Sequence, residues 1–167
     1  FAYNLAGLSY FNIGTYDEAN RAFYNSMRLA IEHKENSLLA KCYQNIGVLY
    51  AELGRSVEAM DYYGKALNLY RIQKNRQDEA GILQNMGIIL DAEDKDKEAL
   101  GYHLSALRIY NELKDTLAVA GMYLNLGSLY EDQADYPKSL DYYNRALSIF
   151  LRENNKFGIA YGYISLG

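Results

Sequence analysis

Gly7, Gly47, Gly87, Gly127 and Gly167 stand forty residues apart, although glycine fills only 13 of 167 positions. Self-similarity at a fixed period of this size marks a repeat array, in which each unit buries its apolar face against the next. Other positions keep the same register. Ala19, Ala59, Ala99 and Ser139 hold a small residue, as do Ser26, Ala66, Ala106 and Ala146, while Tyr10, Tyr50, Leu90 and Tyr130 hold a large one. The period divides the chain into units at 1–40, 41–80, 81–120 and 121–160, with a partial fifth at 161–167. Together they are expected to form a single array cut from a longer protein.

Within each unit the apolar residues recur at three and four positions, which predicts helices rather than strands. In the first unit Leu5, Leu8 and Phe11 belong to one helix, which ends near Gly14, and Ala19, Ala22, Phe23, Ser26 and Ala30 share a face of a second. Thr15 and Glu18 have the spacing of a capping box, and Asn36 is expected to cap the next helix. Gly54 reads as a left-handed cap, the stretches 33–36, 73–76 and 91–98 read as turns, and Pro137 falls where a first helical turn tolerates it. Eight full helices and a fragment, joined by a few residues each, predict an all-α stack of antiparallel pairs. A glycine inside a helix costs about 0.5–1 kcal/mol relative to alanine, so its recurrence needs a cause. Close backbone approach of paired helices is the expected one, with Tyr43, Tyr50 and Tyr63 filling the space around it. Tyr62, Tyr102 and Tyr142 fall at one outer register, which suggests self-association.

Composition narrows the function. A formal charge of -4 with no basic run argues against nucleic acid. Cys42 is alone, so neither a disulfide framework nor a CxxC metal pair is available. No apolar stretch reaches the roughly 18 residues of a membrane span, and the first residues lack the basic start of a signal peptide. His33 falls in a turn and His103 at a core position, without partners at metal-ligand spacing. The acidic run 91–98 lacks the glycine of a calcium loop, and there is no phosphate-binding loop. No enzyme activity, cofactor or metal is expected.

The set Tyr43, Ile46, Gly47, Tyr50, Ala59, Tyr63 and Ala66 resembles the tetratricopeptide repeat, and the resemblance returns in every unit. Leu83, Leu90, His103 and Ser139 depart from the pattern, and the usual closing proline is absent. The forty-residue spacing resembles the longer variant of polarity adaptors and bacterial signalling proteins. The resemblance implies a right-handed α-α superhelix whose first helices line a concave, peptide-binding groove. It also implies a scaffold without chemistry of its own, in the cytoplasm or, as the alternative, the periplasm. A rival reading is the sensory or regulatory segment of a histidine kinase or transcription regulator.

Carried onto this chain, the groove positions are Leu5, Asn45, Asn85, Asn125 and Ser165, with Asn4, Gln44, Gln84 and Leu124 before them and Leu8, Val48, Ile88 and Ser128 three residues after them. Lys41 is the one basic residue on this face, so the basic clamp of chaperone-binding members is missing. A carboxamide pairs with the donor and acceptor of a peptide bond whatever side chain the ligand carries, so the three asparagines are expected to hold an extended peptide. They could instead be struts that fix the stacking. Glu52, Asp91, Glu131 and Asp132 gather at the ends of first helices and suggest a basic partner segment.

Overall fold

The computed structural model describes residues 2–166, so Gly167, the fifth of the spaced glycines, lies outside the described residues. Among those described the regular structure is all α-helix: α1 (Ala2–Asn12), α2 (Tyr16–Glu32), α3 (Asn36–Glu52), α4 (Ser56–Ile72), α5 (Arg76–Asp91), α6 (Asp96–Leu113), α7 (Thr116–Asp132), α8 (Tyr136–Arg152) and α9 (Lys156–Ser165). None is long and apolar enough to cross a membrane. Connections of about three residues force neighbours to run antiparallel. The chain forms two compact units, Phe1–Ile82 and Leu83–Gly167, whose boundary falls inside α5. In the first, α1 packs on α2, α2 on α3 and α3 on α4; in the second, α6 packs on α7, α7 on α8 and α8 on α9.

One backbone device closes the helices. Positive φ occurs at Gly14, Lys34, Gly54, Lys74, Asp94, Lys114, Ala134 and Asn154, a step of twenty residues throughout. At Gly54 the amide bonds the Ala51 carbonyl at 3.0 Å while Arg55 N–H reaches back to Tyr50 at 2.8 Å; at Ala134 the same pair runs to Glu131 and Tyr130. This is the Schellman closure, which satisfies carbonyls the last turn would leave orphaned. Gly14 and Gly54 thus end their helices as expected, and Pro137 sits in the first turn of α8.

The helix starts differ from expectation at two places. Thr15 makes no cap bond; its hydroxyl donates to the Tyr10 carbonyl at 3.1 Å, helping to close α1 rather than open α2. Asn36 is the first residue of α3, not its cap, because Glu35 holds the cap position, without a side-chain bond. Side-chain caps are instead made by Asn75, Asp115, Asp135 and Asn155, whose oxygens accept from backbone N–H three residues on.

The recurrent glycines face rings rather than bare backbone. A Cβ on Gly47 would lie 2.6 Å from Tyr63, one on Gly7 2.5 Å from Phe23, and one on Gly87 2.5 Å from His103; Gly127 stands equally close to Tyr143. Each second helix lays an aromatic side chain across the glycine of the first. The small residues at 19, 59, 99 and 139 and at 26, 66, 106 and 146 are buried around this contact. Tyr62 and Tyr142 are not outward-facing: Tyr62 stacks on Tyr50 at 5.6 Å and Tyr142 on Tyr130 at 5.6 Å, with Tyr43 and Tyr123 tilted against them. Lys65 and Arg145 lie over these rings and pair with Asp61 and Asp141. Tyr62 and Tyr142 therefore lend little to the self-association expected from an outer tyrosine register, since half-buried rings in a seam between helices are spent on the fold.

Candidate functional site: the faces of the first helices

Each unit carries a cleft on its first helices. In the first unit a cleft of ≈ 560 Å³ opens between α1 and α3, walled by Asn4 and Leu8 on one side and Leu38, Lys41 and Asn45 on the other. Its polar groups are largely engaged. Asn45 Nδ2 donates to Asn4 Oδ1 at 2.9 Å, and Asn4 is buried. Lys41 Nζ pairs with Asp78 at 3.0 Å. Gln44 accepts the Tyr70 hydroxyl at 2.6 Å. Burial, together with the nearby Asp78 charge, pushes the Tyr70 hydroxyl well above its usual range, so it stays a donor. Val48 is half-buried and Glu52 exposed. Cys42 is fully buried behind this face, its Sγ 3.3 Å from Ser26 Oγ, and burial raises its pKa, which disfavours the reactive thiolate.

In the second unit a cleft of ≈ 320 Å³ is bordered by Gln84 of α5, by Gly121, Leu124, Asn125 and Ser128 of α7, and by Tyr161 and Ser165 of α9, with Tyr143 of α8 behind. None of these side chains is charged. Gln84 accepts from the Tyr110 hydroxyl at 3.3 Å, as Gln44 does from Tyr70. Asn125 differs from Asn45: its Nδ2 is buried without a hydrogen-bond partner among the described residues. Such a group forfeits about 1–3 kcal/mol of solvation until something accepts from it. Asn85 is half-buried on α5, Ile88 is 47% exposed and Ser128 is exposed.

The acids at the helix ends divide in two. Asp91 Oδ2 meets His103 Nε2 at 2.6 Å, and the imidazole is fully buried with Nδ1 against Gly87 and unpartnered. Donation from Nε2 to Asp91 fits this geometry, because Nδ1 has no acceptor among the described residues. Glu131 accepts the Tyr143 hydroxyl at 2.7 Å, and burial, with that bond, pushes the phenol up to about 12. These two carboxylates therefore anchor the rings that cover Gly87 and Gly127, a role the periodic pattern did not reveal. Asp132 is exposed, like Glu52. Among the described residues no three His, Cys, Asp or Glu gather as a metal site.

Residues 1–72 and 78–152 match the family model described as tetratricopeptide repeat. No curated protein matches the chain by sequence. Among solved structures it is similar to BtubC (BKLC) from P. vanneervenii, with 25% identity and TM-score 0.84 over 98% of this chain and 68% of that one. It is also similar to aspartyl phosphate phosphatase F from Bacillus subtilis, with 14% identity and TM-score 0.92 over 98% of this chain and 43% of that one. A third is a signal transduction ATPase with numerous domains and a tetratricopeptide repeat sensor from Pyrococcus horikoshii, with 18% identity and TM-score 0.84, where the chain covers 26% of that protein. The chain thus spans less than half the length of the latter two.

Proposed function

Because the chain belongs to the tetratricopeptide repeat family, we propose that it is a protein-interaction module that holds a segment of a partner against its first helices, without chemistry of its own. The observation that carries this reading is Asn125, whose amide donor is buried unpaired at the wall of a cleft. After a half-turn of the amide about its last torsion a peptide carbonyl would satisfy it, and the second unit's uncharged lining suits a ligand chosen by shape and hydrogen bonding. A strongly basic partner is supported less, since Asp91 and Glu131 are bonded to His103 and Tyr143, although Glu131 is exposed as Glu52 and Asp132 are. A regulatory segment within a larger signalling protein is the second reading, favoured by how small a share of the phosphatase and the sensor ATPase such an array occupies.

The test is selection of a displayed random peptide library on the purified chain, followed by affinity measurement on variants. Asn125→Ala is expected to weaken the selected peptide about fivefold, the equivalent of roughly 1 kcal/mol for one hydrogen bond. Asn45→Ala should instead lower the melting temperature, because Asn45 braces Asn4. Peptides that bind Asn125→Ala as tightly as the parent would overturn the proposed face.

A further inference from the structure

Gly121 has no packing reason to be glycine. A Cβ built on it meets no atom within 4 Å, whereas one on Gly127 in the same helix would collide with Tyr143. In the interior of α7 the residue therefore costs helix stability without any return inside the fold. What its bare backbone does is leave open floor in the second unit's cleft, one turn before Asn125 and so on the same helix face. Tyr161, 57% exposed, lines the same cleft from α9, and the register that gives glycine at 81 and 121 gives Lys41 in the first unit.

We infer that this cleft is a subsite for the carboxamide side chain of a glutamine or asparagine in the bound segment, a refinement that rests on the interaction-module reading. Three constraints select that chemistry. The floor that Gly121 leaves open, in a cleft also lined by the Tyr161 ring, has room for a flat group. The lining offers no counter-charge, so an ammonium or carboxylate would lose hydration without compensation. Asn125 presents a donor and an acceptor in one plane, and its last torsion has two broad, nearly equivalent wells, so a half-turn can bring its unspent Nδ2 toward the cleft. The oxygen of a ligand carboxamide accepts from that donor while its own N–H groups have the Ser128 and Ser165 hydroxyls of the lining as acceptors; an alkyl chain does neither. The cleft is at the small end of ligand sites, a size that suits a single side chain.

The probe is acetyl-Ala-Ala-Gln-Ala-Ala-amide, titrated into isotope-labelled chain while the Asn125 side-chain amide and the Gly121 backbone amide are followed by NMR. Both signals are expected to move saturably, with affinity at least about tenfold weaker when the central residue is Glu, Lys, Leu or Ala. Gly121→Leu should abolish the shift and melt no lower than the parent, because it fills open space and favours the helix. The inference is overturned if the glutamine peptide leaves both signals still up to ~10 mM, if the alanine-centred peptide saturates equally well, or if Gly121→Leu binds like the parent. Library-selected peptides that depend on Asn125 yet ignore the Gly121→Leu change would sink the carboxamide subsite while the interaction-module reading stands.

Discussion

Gly47 and Tyr63 are the smallest piece of this molecule that explains why its glycines recur. Gly47→Ala should improve helix propensity by about 0.5–1 kcal/mol but push a methyl group into a buried ring, where overpacking costs about 1–3 kcal/mol. The expected net result is a lower urea midpoint. Gly64→Ala in α4, exposed and with nothing within 4 Å of its Cβ, should raise the midpoint by its propensity gain alone. Matching effects for the two variants would refute the ring-on-glycine contact. The position of these glycines was legible from periodicity, but what sits across them was not, because register says which residue faces a neighbour and not which of the neighbour's atoms arrives. His103 illustrates the limit: an imidazole fits a slot otherwise held by Phe or Tyr once Asp91 receives its Nε2. Glu79 is a similar local substitution, buried where the forty-residue register elsewhere has Leu39, Val119 and Ile159. Burial alone would raise its pKa, yet hydrogen bonds from Arg71 at 3.0 Å and Arg76 at 2.7 Å outweigh that and lower it below 4.5. A depressed carboxylate pKa contributes stability that is complete above the unfolded value and disappears as pH falls through the folded one. Stability should therefore decline below about pH 4.5 with a slope that Glu79→Leu reduces. At pH 7 the same variant is expected to be neutral or more stable, since exchanging a buried ion pair for a fitting apolar residue often is. Denaturation midpoints at pH 3.5, 5 and 7 check both halves.

Helix ends obey a stricter rule than helix interiors. Six of the left-handed closures among the described residues are made by residues other than glycine, among them Ala134 at φ 56°. A Cβ in that region costs about 1–2 kcal/mol. Ala134→Gly is thus expected to stabilise the protein by about 0.5–1 kcal/mol after the greater freedom of glycine in the unfolded chain is deducted. Gly54→Ala should do the reverse by a similar amount, with no steric contribution because the position is open. Chemical denaturation of both variants measures the pair. Only Gly14 and Gly54 announced their turns by residue type; Lys34, Lys74 and Asp94 fell within the polar stretches read as turns, and Lys114, Ala134 and Asn154 did not, because Lys, Ala and Asn carry weak or no conformational signal. The caps were misread for a related reason. Thr15 and Asn36 looked right locally, whereas Asn75, Asp115 and Asn155 share one register with Glu35, and only comparison across units brings that register out.

At the level of the whole molecule, stability is a sum of contacts between neighbours, so it should be lowest where a helix has one neighbour. In the second unit α7 lies between α6 and α8, while α9 lies against α8. Backbone amides of α9 are expected to exchange with solvent at least about tenfold faster than those of α7 under native conditions. Equal protection would mean that α9 has support beyond α8. The candidate cleft was half legible at this scale. The register placed Gln84, Asn125 and Ser128 on the first-helix face, and they do border it, yet it ranked the three asparagines alike. It could not show that Asn45 is spent on Asn4 while Asn125 is not, which depends on whether the preceding helix offers an amide or, like Gln84, is already bonded elsewhere. Gly121 and Tyr161 escaped notice because their register holds Lys41, Gly81, Gly121 and Tyr161, which share neither size nor polarity. The twenty-residue beat of left-handed closures carries its own corollary for descent. An insertion or deletion of a few residues within a helix would rotate the later side chains of that helix by about 100° per residue and move its closure off the helix end. Chains of this kind are consequently free to lengthen or shorten in whole hairpins, while the length of each helix between its closures is held nearly fixed.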